Sequence, residues 1–205
     1  MAGSPRRLKE SPSQTAGPYV HIGLTPNAAG VGGIYGSDPG ASMLTPDTPG
    51  ERIEVVVRVI DGAGEPVTDA VVEVWQAGAD GSYGGSMAPA SNSMPSFTGW
   101  GRQATDSQGV ASFATVKPGR AAGPDKVPMA PHLSLWIVAR GINIGLQTRL
   151  YFDDESAANA DDRILAQVPA ERRATLIARR VASATPRYAL DIHLQGDRET
   201  VFFDF

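Results

Sequence analysis

The sequence predicts a mainly β protein: an antiparallel β-sandwich with one short helix and an irregular N-terminal arm. Three observations lead there. Short stretches of apolar residues recur at a period of two, as half-buried strands do. Turn formers separate these stretches, in a chain with 23 Gly and 16 Pro among 205 residues. Only one segment carries an apolar stripe at helical spacing. Short strands punctuated by turns, with little helix, are the pattern of packed sheets.

Residues 1–50 are rich in Gly, Pro, Ser and Thr and have weak periodicity. They read as an N-terminal arm with short extended pieces such as Tyr19-Val-His-Ile22, and an arm this long suits wrapping around a neighbouring chain. Residues 51–205 form the sandwich. Its first strand is Ile53–Ile60, with Ile53, Val55, Val57 and Val59 on one side. The turn Asp61-Gly62-Ala-Gly64 leads to a second, β-branched strand, Ala70–Trp75, ended by Asp80-Gly81. Ser82–Thr98 is a loop. Asp106–Gly109 turns into the strand Val110–Val116, which Lys117-Pro-Gly119 closes. Leu133–Ala139 is an apolar run of strand length. Leu146, Thr148, Leu150 and Phe152 alternate again. Pro169 then opens the predicted helix, with Glu171 in its first turn, Leu176, Ile177 and Val181 as its apolar stripe, and Arg172, Arg173, Arg179 and Arg180 on its solvated face. Tyr188, Leu190, Ile192 and Leu194, then Val201, Phe203 and Phe205, end the chain in two alternating stretches.

Composition narrows the function. A formal net charge of −4 and a pI near 5.3 lack the basic footprint of a general nucleic-acid binder. Cys is absent, which removes disulfides, thiolate metal sites and cysteine nucleophiles and fits a cytoplasmic location. The N-terminus has charges but no apolar stretch behind them, so no signal peptide is predicted. The longest apolar run falls far short of a membrane span, so no membrane partner is expected. No phosphate-binding loop, dinucleotide motif or nucleophile elbow occurs. Asp153-Asp154-Glu155 reads as a solvated turn or helix start in preference to a metal site. His21 and His193 read as structural. On these grounds alone the chain is a β-sandwich of unassigned function.

Several segments are more specific. Ser13-Gln-Thr-Ala-Gly-Pro-Tyr19, Ala70–Ala77 with Asp80-Gly81, Gly101-Arg102, Thr105-Asp106, Phe113–Gly119 and Pro131-His132 follow one another in an order that resembles the intradiol ring-cleavage dioxygenases. Ala139-Arg-Gly-Ile-Asn-Ile144, Thr148–Asp153 and Glu199–Phe205 resemble, within that family, the iron-free alpha subunits of its two-subunit members. The resemblance covers nearly the whole chain and implies a transthyretin-like sandwich. It also implies an enzyme complex that opens protocatechuate between its hydroxyls with O2, giving 3-carboxy-cis,cis-muconate in the beta-ketoadipate route of aromatic catabolism.

The family holds a catalytic ferric ion with two tyrosines and a His-x-His pair. His132 matches the first histidine, but Ser134 stands at the second, and Met129 stands at the active-site arginine. The tyrosine expected after Lys117-Pro-Gly119 is replaced by Arg120-Ala121, and the loop between Tyr83 and Phe97 has no tyrosine. The resemblance therefore implies no metal and no catalytic residue in this chain, with His132 a vestigial ligand position. The Fe(3+) belongs to a homologous beta subunit as partner, and the isolated chain is expected to be inactive. Arg140 matches the residue that meets the substrate carboxylate, and Thr15, Gly17 and Pro18 match the motif that approaches the cavity. For Arg140 the alternative is a plain salt bridge; for the Gly-Pro pair it is an ordinary turn. The rival functions are a non-enzymatic sandwich module that kept only the fold, and a self-sufficient homodimeric enzyme, which the missing ligands disfavour.

Overall fold

The computed structural model describes residues 15–83, 96–123, 126–143 and 145–204. Eight strands account for the core: β1 Arg52–Ile60, β2 Val71–Gln76, β3 Trp100–Ala104, β4 Val110–Val116, β5 His132–Val138, β6 Leu146–Phe152, β7 Ile177–Val181 and β8 Arg187–His193. They hydrogen-bond in the order β3-β2-β5-β6-β7-β8-β1-β4, a sheet that curls until its two ends face each other. In β1 the period-two rule holds strictly: Ile53, Val55, Val57 and Val59 are buried and the residues between them are half-buried. Those side chains meet Val72 and Val74 of β2, Phe113 of β4, Leu133 and Leu135 of β5, Leu150 and Phe152 of β6 and Tyr188 of β8 in one core. Each such aliphatic or aromatic burial contributes about 1.5–3 kcal/mol. Among the described residues no helix is long and apolar enough to cross a membrane.

The sandwich is mainly but not wholly antiparallel. β1 runs parallel to β8, with Val57 opposite Leu190, and β6 runs parallel to β7, with Tyr151 opposite Ile177. The β6–β7 connection makes this feasible, because it is a long crossover carrying short helices and returns the chain in its original direction. Its elements are α2 Ser156–Asp161, α3 Arg163–Gln167 and a 3-10 helix, Ala170–Leu176. Asp162 caps α3 by accepting from the amides of Ile164 and Leu165. It also accepts from the Ala130 amide at 2.7 Å and the Tyr151 hydroxyl at 3.3 Å, so one fully buried carboxylate ties the crossover to the sheet.

The predicted helix is half right. Pro169 precedes a 3-10 helix, but Ile177–Val181 is strand β7. Hydrogen bonding to β8, with Arg180 opposite Tyr188, outweighs the helical spacing of Leu176, Ile177 and Val181, and β-branched Ile177 and Val181 suit a strand. Arg179 and Arg180 are exposed. Tyr19-Val-His-Ile22, expected to be extended, lies at and within the short helix α1, Val20–Leu24, closed by Thr25, whose amide and hydroxyl both reach the His21 carbonyl. β3 was not predicted, because Gly101, Arg102 and Gln103 show no alternation; Gly101 is there so that Met43 can pack, since a Cβ would lie 2.7 Å from the Met43 sulfur. The last alternating stretch makes only a bridge between Phe203 and Gln147, and Phe205 lies outside the described residues.

From Leu24 onward the arm is laid on the chain's own sheet. Arg102 donates from its amide to Gly40 and from its guanidinium to Leu24, Gln103 reaches Ala41, and Met43 is buried in the core.

Candidate functional site

β5 organises both regions that the sequence singles out. His132 begins it and Arg140 lies two residues past its end. At about 3.3 Å of rise per residue, β5 itself spans roughly 20 Å from His132 to Val138, with Arg140 beyond its far end.

At the His132 end, alternation sends Leu133, Leu135 and Ile137 into the core and His132 and Ser134 to the opposite face. β6 pairs there, placing Tyr151 opposite His132 and Arg149 opposite Ser134. His132 is buried, its Nδ1 lies 2.8 Å from the Ala130 carbonyl, and its ring is 5.8 Å from that of Tyr151. Burial, and then the positive charge of Arg149, push its pKa down from 6.5 to about 4. Nδ1 is therefore the protonated nitrogen of a neutral ring, donating to Ala130. Burial pushes the Tyr151 hydroxyl up to about 12, against the pull of Arg149. The Arg149 guanidinium donates to the Tyr151 hydroxyl at 3.4 Å and lies 3.5 Å from the Met129 sulfur. Burial likewise raises the pKa of Tyr83, opposed by Arg149. Arg120, which follows Lys117-Pro-Gly119 in place of a tyrosine, donates to the carbonyls of Pro128 and Met129.

This donor set does not fit a ferric ion. Fe(3+) calls for anionic hard donors. These residues offer one neutral imidazole, an aliphatic hydroxyl, a thioether and a tyrosine kept protonated, around a resident guanidinium. Among the described residues no group of three or more His, Asp or Glu is arranged to hold a metal. Asp154 is occupied otherwise, accepting from Lys117 at 2.7 Å and from the Tyr188 hydroxyl at 2.6 Å. Sequence reasoning missed Arg149. Its signal was the alternation of β6, which puts residue 149 on the face away from Thr148 and Leu150.

At the other end of β5, Gly141, with φ +84°, turns the chain, and the Ile142 amide closes the turn on Ala139. Arg140 carries a side chain two-thirds exposed, whose Nε lies 2.6 Å from Asp69 Oδ2. The ion-pair alternative for Arg140 is thus present, and it leaves most of the guanidinium in the open. Thr15 and Ala16 arrive at the same loop: the Thr15 hydroxyl and the Ala16 amide both donate to the Ile142 carbonyl. Gly17 accepts from the Val20 amide as α1 begins, and a Cβ at Gly17 would meet nothing within 4 Å. Pro18 is exposed. Three of the four expected substrate-facing positions, Thr15, Gly17 and Pro18, thus stand at or beside the loop of the fourth, and His132 stands apart. A cavity of about 680 Å³ opens beside the loop, lined by Arg140, Ile142, Leu146, Leu194 and Phe202 among others.

Residues 37–196 match the family model described as Dioxygenase. The protocatechuate 3,4-dioxygenase alpha chain of Pseudomonas putida is 47% identical over 97% of this chain and 98% of that one. The protocatechuate 3,4-dioxygenase beta chain of Burkholderia cepacia is 34% identical over 72% of this chain and 66% of that one. In fold, the catechol 1,2-dioxygenase of Acinetobacter sp. ADP1 superposes with a TM-score of 0.59 at 17% identity, over 78% of this chain and 62% of that one. The motif order, the curled sandwich and these matches converge: the chain belongs to the intradiol ring-cleavage dioxygenase family and is similar over nearly its whole length to protocatechuate 3,4-dioxygenase alpha chains.

Proposed function

We propose that this chain is the iron-free alpha subunit of a cytoplasmic alpha–beta protocatechuate 3,4-dioxygenase, and that its part in the reaction is to hold the substrate and not to transform it. One observation carries the reading. The candidate substrate-facing residues gather at the Ile142 loop, past the far end of β5, a strand of roughly 20 Å that starts at the family's metal position. Arg140 therefore cannot serve a substrate bound at His132 of its own chain. A guanidinium so placed suits a ring-cleavage site that a second chain brings to this loop.

In that complex the beta subunit holds the Fe(3+), and O2 and protocatechuate meet there. Arg140 offers the substrate carboxylate a charge-assisted fork, which orients the ring and excludes water from that side. Thr15, Gly17 and Pro18 wall the approach; the backbone at Gly17, open on its own side, leaves room for close contact from another chain. On this reading the metal and the catalytic base come from the beta subunit, and this chain contributes binding.

Co-expression with a homologous beta chain tests the reading. The expected result is a complex with one iron per alpha–beta pair that consumes protocatechuate and O2, with neither chain active alone. A beta chain fully active without this one, or an alpha chain that forms no complex, would leave the fold-only module as the better reading.

A further inference from the structure

Beyond the substrate contact itself, the geometry points to Asp69 as the positioning residue that sets Arg140 for an anionic substrate group; this inference rests on the alpha-subunit reading above. β2 and β5 pair antiparallel with Val71 opposite Val138. Continued two residues past that pair, the register sets Asp69 against Arg140, with the buried Ala70 and Ala139 between. The two residues thus face each other in the turns just outside β2 and β5, where the paired strands bring the chain segments together. The two partners differ in exposure. The Asp69 side chain is 16% exposed and that of Arg140 66%, so the carboxylate is the fixed member and the guanidinium the one it holds.

The contact is also specific in what it leaves free. Asp69 Oδ2 lies 2.6 Å from Nε. A guanidinium has five donors, and the edge with both terminal nitrogens is the one that takes a carboxylate in a bidentate fork. Among the described residues no hydrogen-bond partner is found on those terminal nitrogens. Asp69 thus sits as an ion pair against the inner side of the group and leaves the terminal nitrogens open to a second anion. Pre-setting a long side chain spares the ordering cost that binding would otherwise carry.

Positioning and simple charge balance make opposite predictions. If Asp69 only neutralised Arg140, removing its charge would strengthen the attraction for an anion and lower KM. If it positions Arg140, removal frees the guanidinium and raises KM. The test is Asp69→Asn in the assembled alpha–beta complex, with protocatechuate and catechol as substrates. KM for protocatechuate should rise about 3- to 10-fold, the range expected for ordering one such side chain. kcat should stay within about twofold. Catechol, with no carboxylate, should be unaffected, and iron content and sedimentation should match wild type. Asp69→Glu should recover part of the loss. Asp69→Asn should add nothing to Arg140→Ala, the two acting as one unit. Arg140→Ala run in parallel separates the failures. If that variant does not discriminate between the substrates, the carboxylate-contact reading falls and this inference with it. If it does, but Asp69→Asn leaves KM unchanged, lowers it, or dissociates the complex, the positioning role alone is overturned.

Discussion

Thr15 donates its hydroxyl to the carbonyl oxygen of Ile142 at 3.3 Å, across 127 positions of sequence. The neighbouring Ala16 amide reaches the same oxygen at 3.2 Å. One carbonyl therefore anchors the N-terminal motif to the loop that presents Arg140. The two segments that family likeness marks as substrate-facing are thus one structural unit, formed without help from any other chain.

Removing that unit should cost assembly more than folding. Deletion through Gly17 removes the two hydrogen bonds to the Ile142 carbonyl and the one from the Val20 amide to Gly17, all at exposed or half-exposed positions and each contributing about 0.5–1.5 kcal/mol. The core of β1, β2, β4, β5 and β8 is untouched, and Met43 remains in place. The truncated chain should melt within a few degrees of the full chain and bind the beta subunit more weakly. Equal affinity in sedimentation or pull-down would show that the arm's first residues do not engage the partner.

Arg140→Ala should weaken substrate use without removing iron. A hydrogen bond to a charged group contributes about 1.5–3 kcal/mol, or roughly 10- to 150-fold in kcat/KM. The loss should be larger for protocatechuate than for catechol, and lysine should rescue only partly, because it lacks the planar fork. If Arg140 instead held an ion pair across the subunit interface, the signature would be distinct: dissociation of the complex and equal loss on every substrate. Wild-type kinetics in an intact complex would remove both roles.

Much of this architecture is legible in the sequence, for definite reasons. β1 and β8 read cleanly because one face of each meets the core, so burial and alternation coincide. β3 does not, because its Gly101 serves Met43 from the arm, a contact no local window contains. Ile177–Val181 reads as helix because apolar spacing is compatible with both periods, and only hydrogen bonding to β8 decides. In the site, the missing ligands at Ser134 and after Gly119, and the lost arginine at Met129, are plain in sequence. The guanidinium of Arg149 among them is not: it requires the β5–β6 register that sets Arg149 opposite Ser134.

The isolated chain should be colourless and iron-free. Tyrosinate–iron charge transfer needs a deprotonated phenol, and the Tyr151 hydroxyl beside His132 is held near 12. Arg149 adds a positive charge where a cation would have to sit. Metal analysis and a visible spectrum of the purified chain check this. A charge-transfer band with close to one iron per chain would mean that the ligand assignment is wrong.

His132 should tie fold stability to pH. In the unfolded chain its imidazole titrates near 6.5. In the folded chain burial and Arg149 lower that to about 4, with the hydrogen bond to Ala130 and the charge of Asp162 acting the other way. Between these values the unfolded state binds more protons, so this residue's contribution is fully present above about pH 6.5 and is lost as pH falls toward 4. The loss is about 2 kcal/mol by pH 5 and about 3 kcal/mol below pH 4. Carboxylates also titrate near the bottom of that range, so the cleaner window is pH 5 to 7. There, denaturant unfolding of the wild type should show stability falling as acid is added, and His132→Gln should flatten the slope whatever it costs in absolute stability. Arg149→Gln should raise the folded-state pKa of His132 by removing the second cause of its depression, and so make the acid loss smaller and complete at a higher pH. The imidazole resonances report this directly. A His132 that titrates between pH 6 and 7 in the folded wild-type chain would show that it faces solvent or an acidic partner instead of Arg149.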